Sequence, residues 1–345
     1  MIIKMKNLAT AFANAIVQWQ RTHGRHDLPW QHQSAYATWI SEIMLQQTQV
    51  KTVLKYYVRF MAKFPTILDL AQSELDDVLA LWAGLGYYSR ARNLHQAAKI
   101  MHAQYQGQLP QSLDALVRLP GIGPSTAGAI LAMGHRQYGI ILDGNVKRVL
   151  SRCFGVHGNL QNQRLNRQLW QISAWVTPQL DCATYTQGIM DLGAQICTKH
   201  QPLCHQCPCQ DICYAKKAHL TASLPYPKFK KQHPVFNKVM CIPYHKGQVG
   251  LNRRPQKGIW GGLWTPMISN EMNNTVPILK TYPSLKHVFT HQTWLLSPVI
   301  LDGKHIEVDD WFSIEDALQL GIPKPVKSIL ELIQHENHLL QKTQS

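Results

Sequence analysis

The sequence predicts two domains of different class, a mainly α domain over the first two thirds of the chain and a smaller α/β domain after it. Three observations carry this reading. Apolar residues recur at helical spacing from Leu8 to Arg152, with little strand-like alternation. The stretch Leu224-Pro-Tyr-Pro-Lys-Phe-Lys-Lys231, with Pro234 beyond it, is basic and proline-broken and suits an exposed linker. Short β-prone runs with turn signals follow it. A chain of 345 residues can hold two ordinary cores. The helical domain is therefore placed at 1–224, the linker at 225–234 and the second domain at 235–345.

Leu8–Trp19, Ala37–Phe60, Glu74–Trp82, Ala91–Ala103, Thr126–Met133 and Val146–Arg152 carry the helical spacing, separated by short turns rich in glycine or proline. After the linker, Val235–Tyr244 and Gln248–Arg253 read as strands joined at a Lys246-Gly247 turn. Asp316–Leu320 and Val326–Ile333 read as helices, and no internal repeat is apparent.

The formal net charge of +15 points to a polyanionic partner with salt-dependent association. Charge alone leaves ribosome, nucleic acid and anionic membrane open. With 45% hydrophobic residues, 16% charged and no low-complexity run, the composition is that of a folded globular chain. No segment is apolar for long enough to span a bilayer, so no membrane role is expected. The opening Met-Ile-Ile-Lys-Met-Lys-Asn leads into an amphipathic stretch rather than a signal core, so a cytoplasmic protein is expected. Eight cysteines without an export signal favour metal ligation over a disulfide framework.

Three motifs carry chemistry. In Leu119-Pro-Gly-Ile-Gly-Pro-Ser-Thr-Ala-Gly128, a glycine-bracketed turn (Gly121, Gly123) opens a helix of small residues. Unpaired N–H groups and the helix dipole at such a turn welcome one phosphate without reading a base. Ile141-Leu-Asp-Gly-Asn-Val146 then places a carboxylate, Asp143, a helix length away. Taken singly, these features also suit an ordinary turn and an ordinary helix cap. The third motif is Cys197-x6-Cys204-x2-Cys207-x5-Cys213, four thiolates in one loop. They suit an iron–sulfur centre or zinc, between which spacing does not choose, with His200, His205 and Cys209 as further zinc-compatible groups.

Together these motifs resemble the helix-hairpin-helix DNA glycosylases, and among them the MutY-type adenine glycosylases that act at 8-oxoguanine:adenine mispairs. The similarity spans roughly residues 8 to 300. It implies a helix-hairpin-helix domain with its hairpin at 119–128 and a cysteine loop at 197–213 holding a 4Fe–4S cluster, with zinc as the alternative. Trp39-Ile-Ser-Glu-Ile-Met-Leu-Gln-Gln-Thr-Gln-Val50 is its most specific block. The resemblance makes Glu42 the general acid, Asp143 the second catalytic carboxylate and Asn145 its orienting neighbour. It sets Gln47 and Thr48 at the lesion side of the opened duplex. In Gly84-Leu-Gly-Tyr-Tyr-Ser-Arg90, the glycines should expose Leu85 and Tyr87 as wedges for base extrusion. Ser125 stands where strand-cutting members carry a Schiff-base lysine, which implies base release alone. Pro124 replaces a basic residue common in this turn.

Arg253 to Trp264 resembles the opening of a nudix-type fold. The glutamate-rich magnesium box is missing, since Ser269 to Thr275 offers only Glu271, so this domain should bind rather than hydrolyse. Phe289-Thr290-His291 matches the Phe-Ser-His loop that senses 8-oxoguanine. The implied partner is double-stranded DNA with 8-oxoguanine:adenine or guanine:adenine mispairs, bound by a monomer in a bacterial cytoplasm, at the nucleoid. The neighbouring alternative is an endonuclease III-like glycosylase for oxidised pyrimidines. From other classes come a non-catalytic iron–sulfur DNA binder and a nudix nucleotide hydrolase with a helical extension.

Overall fold

The computed structural model describes residues 2–160, 162–226, 233–272 and 276–342, of which 2–6 and 337–342 by backbone alone. Most of the expected linker, 227–232, and the end of the Ser269–Thr275 stretch lie outside the described residues. Twelve helices precede the first strand: α1 Ile2–His23, α2 Ala35–Leu45, α3 Val50–Lys63, α4 Ile67–Gln72, α5 Leu75–Trp82, α6 Ser89–Gln104, α7 Leu113–Val117, α8 Pro124–Ala129, α9 Gly144–Cys153, α10 Gln163–Val176, α11 Cys182–Asp191 and α12 Tyr214–Lys217. Strands follow as β1 Val235–His245, β2 Gln248–Arg253, β3 Trp264–Thr265, β4 Met267–Ser269, β5 Ile278–Thr281, β6 Leu285–Val288, β7 Thr293–Asp302 and β8 Asp310–Ser313. Helices α13 Ile314–Gln319 and α14 Lys324–Lys342 close the order. Among the described residues no helix is long and apolar enough to cross a membrane.

Packing divides the chain into two compact units. One comprises Met1–Ala71 and Gln96–Phe229, the other Gln72–His95 and Lys230–Ser345. The helical unit forms its core where stripes from several helices meet. Phe12, Ile16 and Val17 of α1 join Val146, Val149 and Leu150 of α9, with Leu169 and Ile189 from α10 and α11. Helix α2 is buried on nearly every side, from Tyr36 to Met44, and Ser34 caps it by accepting from the N–H of Ala37 at 3.2 Å. An all-round apolar helix belongs in an interior. Its one charged residue is Glu42.

The expected helix Ala37–Phe60 is two helices. Gln46 leaves helical geometry at ψ 112° and closes α2, Gln47 follows at φ +58°, and α3 restarts at Val50. Val50 and Leu54 therefore do not continue the face made by Trp39, Ile40, Ile43 and Met44. The hairpin expectation at 119–128 meets a short α7, capped by Ser112, and an α8 with Pro124 in its first turn. Proline suits that position because its missing N–H would have had no helical partner. After α8 the chain widens into a π-turn, Ile130–Gly134. Gly128 makes the closest approach in this region: a Cβ there would lie 1.9 Å from the carbonyl oxygen of Ile140.

In the second unit β1 runs parallel to β7, from Val235↔Thr293 to Tyr244↔Asp302, and antiparallel to β2 and β4. β8 and β3 pair with β2, while β5 and β6 pair with β7. The Lys246-Gly247 turn has both residues at positive φ, +48° and +81°, the conformation that two-residue hairpin turns adopt. Val326, Ile329, Leu330 and Ile333 give α14 a buried stripe. Helix α5 packs within this unit. A Cβ on Gly321 would sit 2.8 Å from the Cβ of Leu79, and Arg253 Nη2 pairs with Asp76 Oδ1 at 2.5 Å.

Gly128→Ala should destabilise the helical unit by about 1–3 kcal/mol, because backbone rather than a movable side chain occupies the space. A urea midpoint unchanged from the wild type would refute that.

Candidate active site

Glu42 and Asp143, far apart in sequence, line one cleft of about 620 Å³ in the helical unit. Asn145, Ser125 and Thr48 line it as well. So do Arg25, Trp30 and Gln187, which sequence reasoning missed. Those three come from an irregular segment and a helix with no motif to mark them. Gln47 is exposed and absent from the lining, whereas its neighbour Gln46 lines the cleft and donates to the Gly121 carbonyl at 3.3 Å. Gly121 takes φ +81° at the hairpin, and Gly123 is extended with open space where a side chain would stand. The Ser125 hydroxyl accepts from the N–H of Leu142 at 2.9 Å, tying the hairpin helix to the strand-like approach to Asp143.

Asp143 is the N-cap of α9, accepting from the N–H of Val146 at 2.7 Å, and it also faces the cleft. Burial raises its pKa from the ordinary value, while the N–H groups of Val146 and Asn145 and the charges of Arg148 and Lys147 pull the other way. Glu42 has no such counterweight. Burial, and then the Asp143 carboxylate, push it up to about 8. Of the two, Asp143 is the one held by donors and cations and so ionises first; Glu42 keeps its proton at neutral pH. Arg25, a cleft residue, is anchored by Asp191, a fully buried carboxylate that accepts from Arg25 N–H at 2.9 Å and Nε at 2.8 Å and from Gln187 Nε2 at 2.9 Å.

Cys197, Cys204, Cys207 and Cys213 all line a second, separate cavity, with Cys153 of α9 beside them. Cys209, the spare thiol of the loop, is fully buried and does not line it. Among the described residues no three His, Cys, Asp or Glu side chains gather as a single-ion site. The donor set is four thiols around one space, next to Arg152 and Lys216, whose charge would offset a thiolate-bound centre. Arg152 holds the loop through the carbonyls of Thr198 at 2.6 Å and Lys199 at 3.1 Å, and contacts Cys197 Sγ at 3.3 Å. Arg148 bridges loop and cleft. Its Nε donates to the Cys197 carbonyl at 2.7 Å, and its Nη2 donates to Gly193 O at 2.7 Å and Asn145 Oδ1 at 2.8 Å. Gly193 lies in a π-turn, Leu192–Ile196, that leads directly into Cys197.

The second unit has a cleft of about 790 Å³, lined by Tyr87 and Gly86 from the α5–α6 turn and by Phe289, Thr290 and His291. Gly84, Gly86 and Tyr87 all take positive φ, which thrusts the Tyr87 ring outward at 44% exposure. Leu85, expected at the tip, is instead buried at 6% exposure. The glycines turn the backbone so that only one of the two apolar side chains points out. The Phe289 ring packs against Trp294 (5.0 Å between centroids), Trp260 (5.6 Å) and His287 (4.5 Å). Thr290 and His291 remain exposed beside it.

Residues 40–174 match the family model of HhH-GPD superfamily base excision DNA repair proteins, and residues 238–332 match that of the NUDIX domain. The chain is 36% identical over 338 residues to an adenine DNA glycosylase of Buchnera aphidicola subsp. Acyrthosiphon pisum, covering 93% of this chain and 97% of that protein. It is 40% identical over 218 residues to the adenine DNA glycosylase of Homo sapiens, covering 60% and 40% respectively. Among solved structures, a thermostable thymine-DNA glycosylase superposes with a TM-score of 0.56 at 27% identity, over 61% of this chain and 98% of that one.

The raised Glu42 has a signed consequence for stability. The folded protein binds this proton more tightly than the unfolded chain, so stability is kept below the ordinary carboxyl pKa of 4.5 and lost as pH rises through about 8. Glu42→Gln should therefore melt a few degrees higher than the wild type near pH 8, with the gap closing at acid pH. A melting difference that does not vary with pH would refute this.

Proposed function

Since the chain belongs to the adenine DNA glycosylases of the HhH-GPD superfamily, we propose that its helical-unit cleft hydrolyses the N-glycosidic bond of adenine mispaired with 8-oxoguanine or guanine in duplex DNA. The enzyme removes adenine in base excision repair. The observation that carries the mechanism is the pairing of two carboxyl groups in one cleft, one held protonated near neutral pH.

A purine anion leaves deoxyribose poorly, so the base is protonated first. Glu42 gives its proton to a ring nitrogen of the extruded adenine. The C1′–N9 bond then breaks toward an oxocarbenium-like sugar, and the bonding pair leaves with the neutral base. Asp143, ionised under the influence of Arg148 and the α9 N–H groups, stabilises the positive sugar. Water adds to C1′ and gives up a proton to the carboxylate pair, leaving an abasic site. Asn145, fixed by Arg148, orients the Asp143 end of the cleft. Ser125 offers a hydroxyl already bonded to the backbone, and no amine for a Schiff base, which supports base release without strand cleavage.

Cys197, Cys204, Cys207 and Cys213 would hold a 4Fe–4S cluster. Bound there, it supplies a rigid tie across the loop. Arg148 transmits that rigidity to Asn145 through the Cys197 carbonyl. The excess of +15 steers the monomer onto the DNA backbone, with Gly121, Gly123 and Ser125 at one phosphate and Gln47 and Thr48 near the opened stack. Tyr87 wedges the duplex, and Leu85 supports the turn from within. The second unit reads 8-oxoguanine through Phe289, Thr290 and His291, all on the cleft that Tyr87 enters.

Single-turnover assays on duplexes carrying 8-oxoguanine:A, G:A and A:T pairs should show fast adenine release only from the first two. Asp143→Asn should lower that release by about 10³-fold or more while mispair binding stays intact; normal turnover would remove Asp143 from the mechanism. Phe289→Ala should reduce the preference for 8-oxoguanine over guanine by roughly tenfold, the worth of one stacked base. An unchanged preference would put lesion reading elsewhere.

A further inference from the structure

Behind the catalytic cleft, the helical unit contains another cavity, of about 250 Å³. Trp30 and Gln187 line both spaces, so the two share a wall. The floor of the rear cavity is buried and polar: Gln20 is 2% exposed, Thr38 5% and Ser41 1%, beside the indole of Trp30 at 7%. Gln20 Nε2 donates to the Arg25 carbonyl at 3.3 Å, and the Thr38 and Ser41 hydroxyls donate to the carbonyls of Ser34 at 3.3 Å and Thr38 at 2.8 Å, which leaves their oxygens as acceptors. The rim is exposed and carries the cations Arg21 and Arg136 beside His26 and His32; Arg21 pairs with Asp181 at 2.8 Å, and no carboxylate lines the cavity itself. His32 and Arg136 both stand at positive φ, +58° and +56°, a strain that persists where surrounding structure enforces it.

A buried floor of hydrogen-bonding groups beside an aromatic face suits a planar, neutral heterocycle. Guanidinium N–H groups of the rim match ring nitrogens, and the hydroxyl oxygens of the floor match an exocyclic amino group. On the function proposed above, the extruded nucleotide fills the cleft and its duplex covers the mouth. In that reading a second way out would let the freed base escape while the duplex stays bound.

We propose that this rear cavity is the receiving site and exit for the freed purine base, which passes the Trp30–Gln187 wall and leaves by the cationic rim. The proposal rests on the adenine-releasing reading of the front cleft.

The test separates bond cleavage from escape of the base. Thr184, half-buried on α11, lines only the rear cavity, so Thr184→Trp should plug it without touching the cleft. Strand breaks after alkali report cleavage, and rapid filtration reports adenine reaching solvent. In the wild type the two should coincide. In Thr184→Trp cleavage in a single turnover should keep its rate, while free adenine lags at least tenfold and radiolabelled adenine no longer binds the complex of enzyme and abasic duplex. Ala183→Phe, at a second position lining only that cavity, should repeat the result if the tryptophan variant does not fold. Simultaneous cleavage and release in both variants, or undiminished adenine binding, would overturn the exit. No cleavage by the wild type would instead sink the activity itself, and the exit with it.

Discussion

Glu42 is the only charged side chain on α2, and the burial of that helix on nearly every side is what keeps a proton on it at neutral pH. A carboxyl group in such a place lowers the stability of the fold, and it persists because the cleft needs an acid there. The neighbouring Asp143 adds to the effect by its own charge. Around it stands a helix capped by Ser34, with no other charge and with Trp39, Ile43 and Met44 beside Glu42, closed at Gln46 so that its last turn opens on the cleft.

Asp143 solves the opposite problem. It must stay ionised while partly buried, and the N-terminus of α9 supplies the N–H groups that favour the charged form. The same helix carries Arg148 one turn later, and Arg148 reaches both Asn145 and the backbone of Cys197. The cysteine loop and Asn145, two residues beyond Asp143, are therefore joined through one guanidinium. A π-turn at Leu192–Ile196 leaves Gly193 O available to this arginine, an irregularity of the kind that recurs at functional sites.

The sequence made the two carboxylates, the four thiols and the lesion loop legible because each sits in a compact motif whose residue types serve one chemistry. The Lys246-Gly247 turn was legible for a simpler reason, since a two-residue connection between alternating strands admits few conformations. The break at Gln47 was not. No glycine or proline marks it, and a run of glutamine and threonine reads equally well as the polar face of a continuing helix. Arg25, Trp30 and Gln187 escaped because no motif marks them; Asp191, which brings Arg25 and Gln187 together, looks like ordinary helix surface until its burial is known. Leu85 shows the limit of turn logic: the two glycines foretold a sharp reversal, but not which of two apolar side chains would face outward.

The second compact unit enters the chain twice, once as α5 with its turn and again after residue 230. Leu79 lies against Gly321, Asp76 pairs with Arg253, and Arg92 donates to the carbonyl of Gly261. Covalent order and cohesive order thus disagree. A protease cutting the basic segment after Tyr226 would yield two fragments, neither with a finished surface. The longer one would carry a hairpin of helices stripped of its bedding, its apolar underside bared to solvent. The Tyr87 turn and the Phe289 loop belong to one packed unit yet lie on opposite sides of that segment in the chain, so recombination between relatives there would part them.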